Sequence, residues 1–193
     1  MSNDKYHHGN LKNALIEAGI EIINESGEEY LSLRKVAARC GVSSAAPYSH
    51  FANKEEMILA MQDYVTDRFM THLKKSVESC SEPYSDEAVL KLGEGYILFF
   101  LENPQYFSFL FSQPCMKVQL SLCEDQNGNF PPYDFFRQMV IHYEEAKGNS
   151  LSDDELEIAI IKLWSTVHGI SAIAAMKNVR WNKRWEDQIR YLL

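Results

Sequence analysis

The segment between residues 41 and 54 contains small and hydroxyl-bearing side chains in an order suited to contact with DNA. Serine hydroxyls can donate to phosphates or bases, and an alanine methyl group can touch the methyl group of thymine. Tyrosine, histidine and lysine side chains farther along can reach phosphates from the flank. The candidate DNA-contacting residues are Ser32, Ser43, Ser44, Ala45, Ala46, Tyr48, His50 and Lys54.

A short helix is predicted directly before this segment. Apolar residues recur at helical spacing from Leu33 to Cys40, over about two turns. Ser32 precedes them as the N-cap, and Gly41 follows them as a residue suited to the left-handed conformation that ends many helices. The segment itself therefore begins with a three-residue turn, Gly41 to Ser43.

The proline within the segment predicts a second short helix of about two turns. If Ser43 or Ser44 caps this helix, Pro47 lies at its third or fourth position. The missing amide is tolerated there because that amide is either unpaired or makes only the first intrahelical bond. Such a short helix is unstable alone in water, so we expect Val42 and Phe51 to hold it against its neighbours.

Longer helices are predicted on both sides. Apolar residues from Leu11 to Ile23 follow helical spacing, with Asn10 as a plausible N-cap and Gly27 as the end. Asn53 begins a capping box for a helix that runs to about Val77. Two short helices joined by a tight turn and braced in this way form a helix-turn-helix, whose second helix reads the major groove of DNA.

The remaining chain also shows helical patterning, and no segment alternates with period two. We predict an all-α fold with an N-terminal DNA-binding domain at residues 1–55 and a helical effector-binding and dimerisation domain at residues 56–193. The predicted C-terminal helices cover Ser85 to Glu102, Pro104 to Pro114, Tyr133 to Ala146, Ser152 to about Met176, and Asn182 to Leu193.

Composition leaves a DNA-binding function open. The net charge of the 193 residues is -8, but residues 1–54 hold six basic and six acidic side chains, so the excess acid lies after residue 54. The four cysteines form no C-x-x-C pair, and we expect no metal ion and no cofactor. We also expect a cytoplasmic protein without a membrane partner, because no apolar stretch reaches about 20 residues.

The residues of this segment and its flanks resemble the DNA-binding signature of TetR-type transcriptional regulators. The resemblance covers about residues 10–60 and rests on Leu31 to Ala37, Gly41 to Ser43, Tyr48, His50-Phe51 and Lys54-Glu55. It implies a homodimeric regulator, most often a repressor, that binds a palindromic operator in double-stranded DNA. A small molecule held in the second domain would change the separation of the two DNA-reading heads.

One branch of that family has a C-terminal domain named for a Trp, a His and a Gly, which Trp164, His168 and Gly169 resemble. Trp164 and His168 are four residues apart and project from one helix face. They either line a pocket for an apolar or aromatic effector or pack in a filled core, because both have this composition. The candidate ligand-binding residues are Tyr96, Phe99, Phe100, Phe107, Phe111, Trp164 and His168.

The resemblance also implies that the last two helices form the dimer contact. Small and apolar residues that could supply it, or could instead pack within one subunit, are Gly169, Ala172, Ile173, Ala175 and Met176.

Two other functions remain open from sequence alone. A small helical enzyme could use His142 or His168 with Glu144 or Glu145 as an acid-base centre, although G-x-S-x-G, H-E-x-x-H and phosphate-binding glycine motifs are absent from the sequence. A helical interaction protein without DNA affinity is the third candidate. The adjacent His7 and His8 fit either a DNA-touching arm or a frayed terminus.

Overall fold

The computed structural model describes residues 11–112, 116–125, 127–176 and 178–193. The predicted cap Asn10, the His7-His8 pair, Pro114 and Cys115 lie outside the described residues. The described part is helical throughout and contains no strand. Its helices are α1 (Leu11–Ser26), α2 (Leu33–Arg39), α3 (Lys54–Val77), α4 (Asp86–Glu102), α5 (Pro104–Ser112), α6 (Pro131–Ala146), α7 (Asp153–Ala175) and α8 (Ile189–Leu192), with 3₁₀ turns at Glu28–Tyr30 and Ala46–Ser49.

Side-chain caps begin four of the helices. The side chains of Ser32, Asn53, Ser85 and Ser152 each accept a hydrogen bond from the backbone amide three residues on, at the starts of α2, α3, α4 and α7. The predicted box at Ser152 is complete, because Glu155 reaches back to the Ser152 amide. These caps satisfy amides that have no partner inside the helix, so they set where the helices start.

Three predicted boundaries are wrong. The second short helix is a single 3₁₀ turn, Ala46–Ser49, without a side-chain cap from Ser43 or Ser44. Helix α6 starts two residues earlier than predicted, at Pro131, because the proline ring suits a first helical turn. Only Ile189–Leu192 of the last amphipathic segment is helical.

The N-terminal head consists of α1, α2 and the 3₁₀ turn, and its core extends into α3. Gly19 lies so close to α3 that an added Cβ would come within 2.7 Å of the Met61 sulfur and 2.9 Å of the Met57 methyl. Both methionines are fully buried. The predicted boundary after residue 55 therefore falls in the first turn of a continuous helix that belongs to both domains.

The second domain is built around α4, which packs against α3 on one side and α7 on the other. Phe69 of α3 and Leu92 and Ile97 of α4 are completely buried between them. Helix α5 packs on α1, so the second domain touches the head through this short helix as well as through α3.

Helix α7 has an unusual surface for a helix of a folded domain. Among the described residues it is the one helix long and apolar enough to cross a membrane, yet only 17% of its most apolar window is buried. Ile158, Ile173 and Met176 are each about half exposed. The apolar surface of this helix therefore needs a function other than packing within the subunit.

Candidate DNA interface and effector region

The turn between α2 and α3 presents its small side chains to solvent. Ser43, Ser44 and Ala45 are exposed and Ala46 is half-buried. A tight turn precedes the 3₁₀ helix, in which the Ala46 amide donates to the Ser43 carbonyl at 3.0 Å. Because no long side chain covers this stretch, its backbone can approach a flat partner such as a base-pair edge.

Two apolar side chains hold the exposed turn in place. Pro47 is buried and Phe51 is 1% exposed. Val42, predicted to share this role with Phe51, is only half-buried. Pro47 thus does more than tolerate its position, since its ring is part of the head core that supports the turn. The sequence gives no sign of that burial, because the same proline would suit a solvent-exposed first turn.

The larger predicted contacts differ in how freely they could reach DNA. Tyr48 is 54% exposed. His50 is half-buried, with its ring 6.2 Å from that of Phe51. The Lys54 ammonium donates to the Glu28 carbonyl oxygen at 2.7 Å and lies 3.9 Å from the Glu28 carboxylate. Lys54 must therefore exchange that partner for a phosphate in order to play its predicted role.

The structure adds cations that the sequence analysis did not single out. Arg34 and Lys35 are exposed on α2, and the Lys35 ammonium lies 5.0 Å from the centroid of the Tyr30 ring. Arg39 is instead paired with Glu25 and Glu21 of α1. The outward face of α2 therefore provides two basic side chains beside the exposed turn. Their charge was visible in the sequence, but the face they occupy was not.

The predicted ligand-binding residues come together between α4, α5 and α7, as a cluster of rings. Tyr96, Phe99 and Phe100 are buried, at 4% exposure or less. Phe107, Phe111, Trp164 and His168 are half-buried. Of the two alternatives, a ligand pocket or a filled core, the packing of Tyr96, Phe99 and Phe100 matches a filled core.

His168 is the polar centre of this cluster. Its ring centroid lies 4.5 Å from that of Phe111, 5.0 Å from that of Phe107 and 5.4 Å from that of Trp164. Its Nδ1 lies 3.0 Å from the Tyr96 hydroxyl. Burial lowers the pKa of His168 below its usual value of 6.5, so the ring is neutral at neutral pH. Burial also raises the pKa of Tyr96, so its hydroxyl stays protonated, and the tautomer of His168 decides which of the two groups donates.

A second polar group lies next to Trp164. Tyr133 of α6 is 1% exposed, and its ring centroid lies 5.0 Å from that of Trp164. Within the described residues its hydroxyl has no hydrogen-bond partner. A buried unpaired hydroxyl costs about 1–3 kcal/mol, so a polar atom placed beside it would gain from the contact. No motif in the sequence marks Tyr133 for this role.

The described part of the second domain has two clefts with apolar walls, and the first of them borders the aromatic cluster. An open groove of about 410 Å³ is lined by Phe107, Phe111, Ala172, Ala175 and Met176, among others. A more enclosed cavity of about 380 Å³ lies between α4, α6 and α7 and has mostly apolar walls; its lining residues are Asp86, Val89, Leu90, Gly93, Phe136, Tyr143, Leu163, Thr166, Val167 and Leu193. Both volumes are in the range of ligand sites, about 300–1,000 Å³.

Of the candidate acid-base residues, the structure brings together His142 and Glu145 but gives His168 no carboxylate partner among the residues that it describes. His142 Nδ1 lies 2.9 Å from the Glu145 carboxylate, three residues along the exposed face of α6. His168 is hydrogen-bonded to a tyrosine instead of a carboxylate. Within the described residues no group of three or more His, Cys, Asp and Glu side chains is arranged to hold a metal ion.

A helix-turn-helix head joined by a shared helix to a larger helical domain is an architecture found in DNA-binding proteins of the helix-turn-helix class. Residues 15–61 match the family profile described as bacterial regulatory proteins of the tetR family. The head of this chain is therefore similar to the N-terminal domain of tetR-family regulatory proteins.

Curated relatives resemble this chain over stretches of different length. The class A tetracycline repressor from transposon 1721 of Escherichia coli is 37% identical over 60 residues, which are 31% of this chain and 28% of the repressor. This chain thus matches little more than a quarter of that repressor's length. The nucleoid occlusion factor SlmA of Pectobacterium carotovorum is 25% identical over 153 residues, 78% of this chain and 76% of that protein.

Solved structures resemble the whole described fold. The fatty acid degradation regulator FadR from Bacillus halodurans superposes with a TM-score of 0.71 at 14% identity, over 96% of this chain and 94% of that one. At this identity the likeness establishes the fold of both domains, and it carries no information on the ligand.

Proposed function

We propose that this protein is a ligand-responsive, DNA-binding transcriptional regulator, a homodimeric repressor released from a palindromic operator by a small molecule. The observation that carries the proposal is the exposed run Ser43 to Ala46, held by Pro47 and Phe51 within the region that matches the family profile. Direct contacts come from this run, and Ser32, Tyr48, His50 and Lys54 position the head on phosphates. The protein acts in the cytoplasm.

The exposed face of α7 supports the homodimer. Its outward positions follow alternating spacings of four and three residues: Ile158, Lys162, Ser165, Gly169, Ala172 and Met176. This spacing is that of a helix seam packed against another helix, and the small residues let two backbones approach closely. Gly169 has open space in its own subunit, since an added Cβ would have no neighbour within 4 Å. We therefore place the two-fold contact on this face.

The effector site belongs beside the aromatic cluster. An apolar or aromatic molecule in the groove at Phe107 and Phe111 would contact rings that already touch His168. If the half-buried rings of Phe107 and Phe111 moved, the molecule could reach Trp164 and His168. Tyr133 and the His168–Tyr96 pair offer it polar partners. This assignment is the same effector wall that the Trp-His-Gly branch of the family implies.

DNA binding is tested directly. Purified protein is offered genomic fragments, including its own upstream region, at low salt, and the retained fragments are sequenced. We expect selective retention. Tyr48→Ala or Lys54→Ala should weaken binding to all sequences alike, whereas changes at Ser44 or Ala45 should alter sequence preference. A protein that retains no fragment above background, at any salt, would instead be the helical interaction protein.

The dimer contact is tested with Gly169→Gln. Within one subunit the new side chain meets open space and improves helix propensity, so the melting temperature of the monomer unit should not fall. At the seam it blocks close approach, so sedimentation should report monomers at concentrations where the wild type is dimeric. Lys162→Gln, on the same face but without added bulk, serves as the control. A Gly169→Gln protein that remains fully dimeric would place the contact elsewhere.

A further inference from the structure

Three helices meet at one carboxylate between the head and the second domain. Glu17 of α1 accepts a hydrogen bond from the Tyr64 hydroxyl of α3 at 2.8 Å and a short one from the Tyr106 hydroxyl of α5. Arg68 of α3 donates to the Tyr64 hydroxyl at 3.1 Å, and its guanidinium lies 5.1 Å from the Tyr64 ring centroid. Glu17, Tyr64 and Tyr106 together form a joint between the three helices.

The joint lies where the two domains touch. Helix α1 belongs to the head and α5 to the second domain, while α3 runs through both. A second bond supports the same contact, because the Asn24 side chain of α1 donates to the Gln105 carbonyl oxygen of α5 at 2.8 Å. The position of the head relative to α5 is therefore set by directed bonds as well as by apolar packing.

Burial makes these bonds specific. Tyr106 is 2% exposed, and Glu17 and Tyr64 are half-buried. Burial, and then the Glu17 carboxylate, raise the pKa of both tyrosine hydroxyls, so both remain donors at neutral pH. A half-buried carboxylate that loses its donors is costly, because little water replaces them. The arrangement of α1, α3 and α5 that satisfies Glu17 is thus favoured over nearby arrangements.

Helix α5 contacts both the head and the aromatic cluster through neighbouring residues. Tyr106 reaches Glu17, whereas the next residue, Phe107, has its ring 5.0 Å from that of His168. Phe111 lies one turn farther along α5, and its ring centroid is 4.5 Å from that of His168. A shift of α5 caused at the cluster would therefore also displace the Tyr106 hydroxyl.

We propose that Glu17, Tyr64 and Tyr106 are positioning residues that fix the angle of the DNA-reading head, and that the state of the aromatic cluster reaches the head through Tyr106. The inference rests on the proposed function and adds to it the residues of the regulatory connection. None of the three needs to touch DNA. Their effect on affinity comes from spacing, since two heads must meet half-sites about 34 Å apart.

The first experiment measures the head position without DNA. Spin labels are placed at Ser44→Cys in the head and Asp154→Cys in the second domain, both exposed, in a protein whose native cysteines are replaced by serine. Labelled chains are diluted with excess unlabelled protein, so that pulsed electron resonance records the distance within one chain. We expect Tyr106→Phe to broaden or shift this distance distribution, and Glu17→Gln, which keeps an acceptor, to do so less.

The matched control is Tyr143→Phe. The Tyr143 hydroxyl donates to the Asp86 carboxylate at 2.7 Å, between α6 and α4 inside the second domain. This variant loses the same type of bond without disturbing the joint, so its distance distribution should equal that of the wild type. If Tyr106→Phe folds poorly, Tyr64→Phe tests the same carboxylate. Distributions that stay unchanged in both joint variants would overturn the proposal.

The second experiment measures operator affinity on a fragment retained by the wild type. We expect Tyr106→Phe to change the dissociation constant by about fivefold or more, a typical size for coupling between sites. The slope of log affinity against log salt should not change, because the number of phosphate contacts is the same. A reduced salt slope would mean that the joint acts by contacting DNA, which also overturns the proposal.

The two experiments separate this inference from the proposed function. If the wild type binds no DNA while the distance distribution still depends on Tyr106, the regulator proposal fails and the joint stands as a hinge. If the wild type binds DNA while Tyr106→Phe leaves both distance and affinity unchanged, the regulator proposal stands and the joint fails.

Discussion

The exposed turn of the head and the aromatic cluster of the second domain are held together in opposite ways. In the head, Pro47 and Phe51 are buried so that the small residues before them can face solvent. In the cluster, rings pack on rings, and the polar centre His168 is enclosed by Phe107, Phe111 and Trp164. One region leaves its small side chains open to solvent, and the other is filled by its own side chains.

Under the proposed function, this difference matches what each region would contact. A DNA groove is large and rigid, so its reader can be a fixed surface with little to rearrange. A small apolar ligand must be surrounded, so its site gains by closing around it and can be filled by side chains in its absence. The half-buried rings of Phe107 and Phe111 are the part of the cluster that can move most readily, since Tyr96 and Phe100 are fixed in the core.

The largest expected effect is loss of the head support. Phe51→Ala should lower the free energy of unfolding by about 3–5 kcal/mol, because it removes a fully buried aromatic ring. Phe107→Ala, at a half-buried site of the cluster, should lower it less. Chemical denaturation monitored by circular dichroism measures both. Equal losses would contradict the contrast between a fixed support and a movable ring.

The next effect is on DNA binding. Ala45→Asp places a carboxylate on the exposed turn, where it would meet phosphates, and like charges at an interface cost several kcal/mol. Affinity for a retained fragment should fall by more than about 100-fold, measured by fluorescence anisotropy, without a change in melting temperature. Ser150→Asp, on the exposed loop before α7, adds the same charge away from the head and should leave affinity nearly unchanged.

A smaller effect compares one helix cap in each domain. Ser32 caps α2 in the head and Ser152 caps α7 in the second domain. Replacement of either by alanine should lower the free energy of unfolding by about 1 kcal/mol. Only Ser32→Ala should also weaken DNA binding, because its serine lies at the predicted phosphate contact. If Ser152→Ala also weakened DNA binding, the weaker binding of Ser32→Ala would be explained by lower stability and not by a lost phosphate contact.

The smallest expected effect is a pH dependence of stability centred on the cluster. Burial lowers the pKa of His168 and of His72 below 6.5, so the native state keeps both rings neutral. As pH falls from 7.5 to 5.5 the unfolded chain binds protons that the native state does not, and the free energy of unfolding falls. His168→Gln should reduce this dependence and leave the part due to His72. A variant with the full wild-type pH dependence would contradict the enclosed position of His168.

Local rules predicted most of the helical framework. The caps at Ser32, Asn53 and Ser152 and the positive φ of 68° at Gly41 follow from short-range hydrogen bonds and backbone sterics, which a few neighbouring residues specify. The errors concern the segment at Pro47, the start of α6 and the extent of the last helix. A 3₁₀ turn at Ala46–Ser49 stands where a longer helix was predicted, and Pro47 within it is buried.

The candidate sites also contain features that nearby residues determine and features that distant residues determine. The exposure of residues 43–45 agrees with the sequence analysis, because small and hydroxyl-bearing side chains at a turn can face solvent, whereas their contact with DNA stays a prediction. Pairings between distant residues were not predictable, such as the Tyr96–His168 bond across 72 positions or the Glu17–Tyr106 bond across 89. Tyrosine and glutamate are common surface residues, and nothing near them in the chain marks their partners.

The sequence by itself determined the all-α class, the starts of the main helices and the type of the N-terminal domain, because caps, periodicity and turn residues act within a few positions of each other. The tertiary structure decided that the aromatic cluster is closed, that Pro47 is a core residue and that three helices meet at Glu17. Each of these depends on which side chains compete for the same enclosed volume, and that volume exists only after the helices have packed.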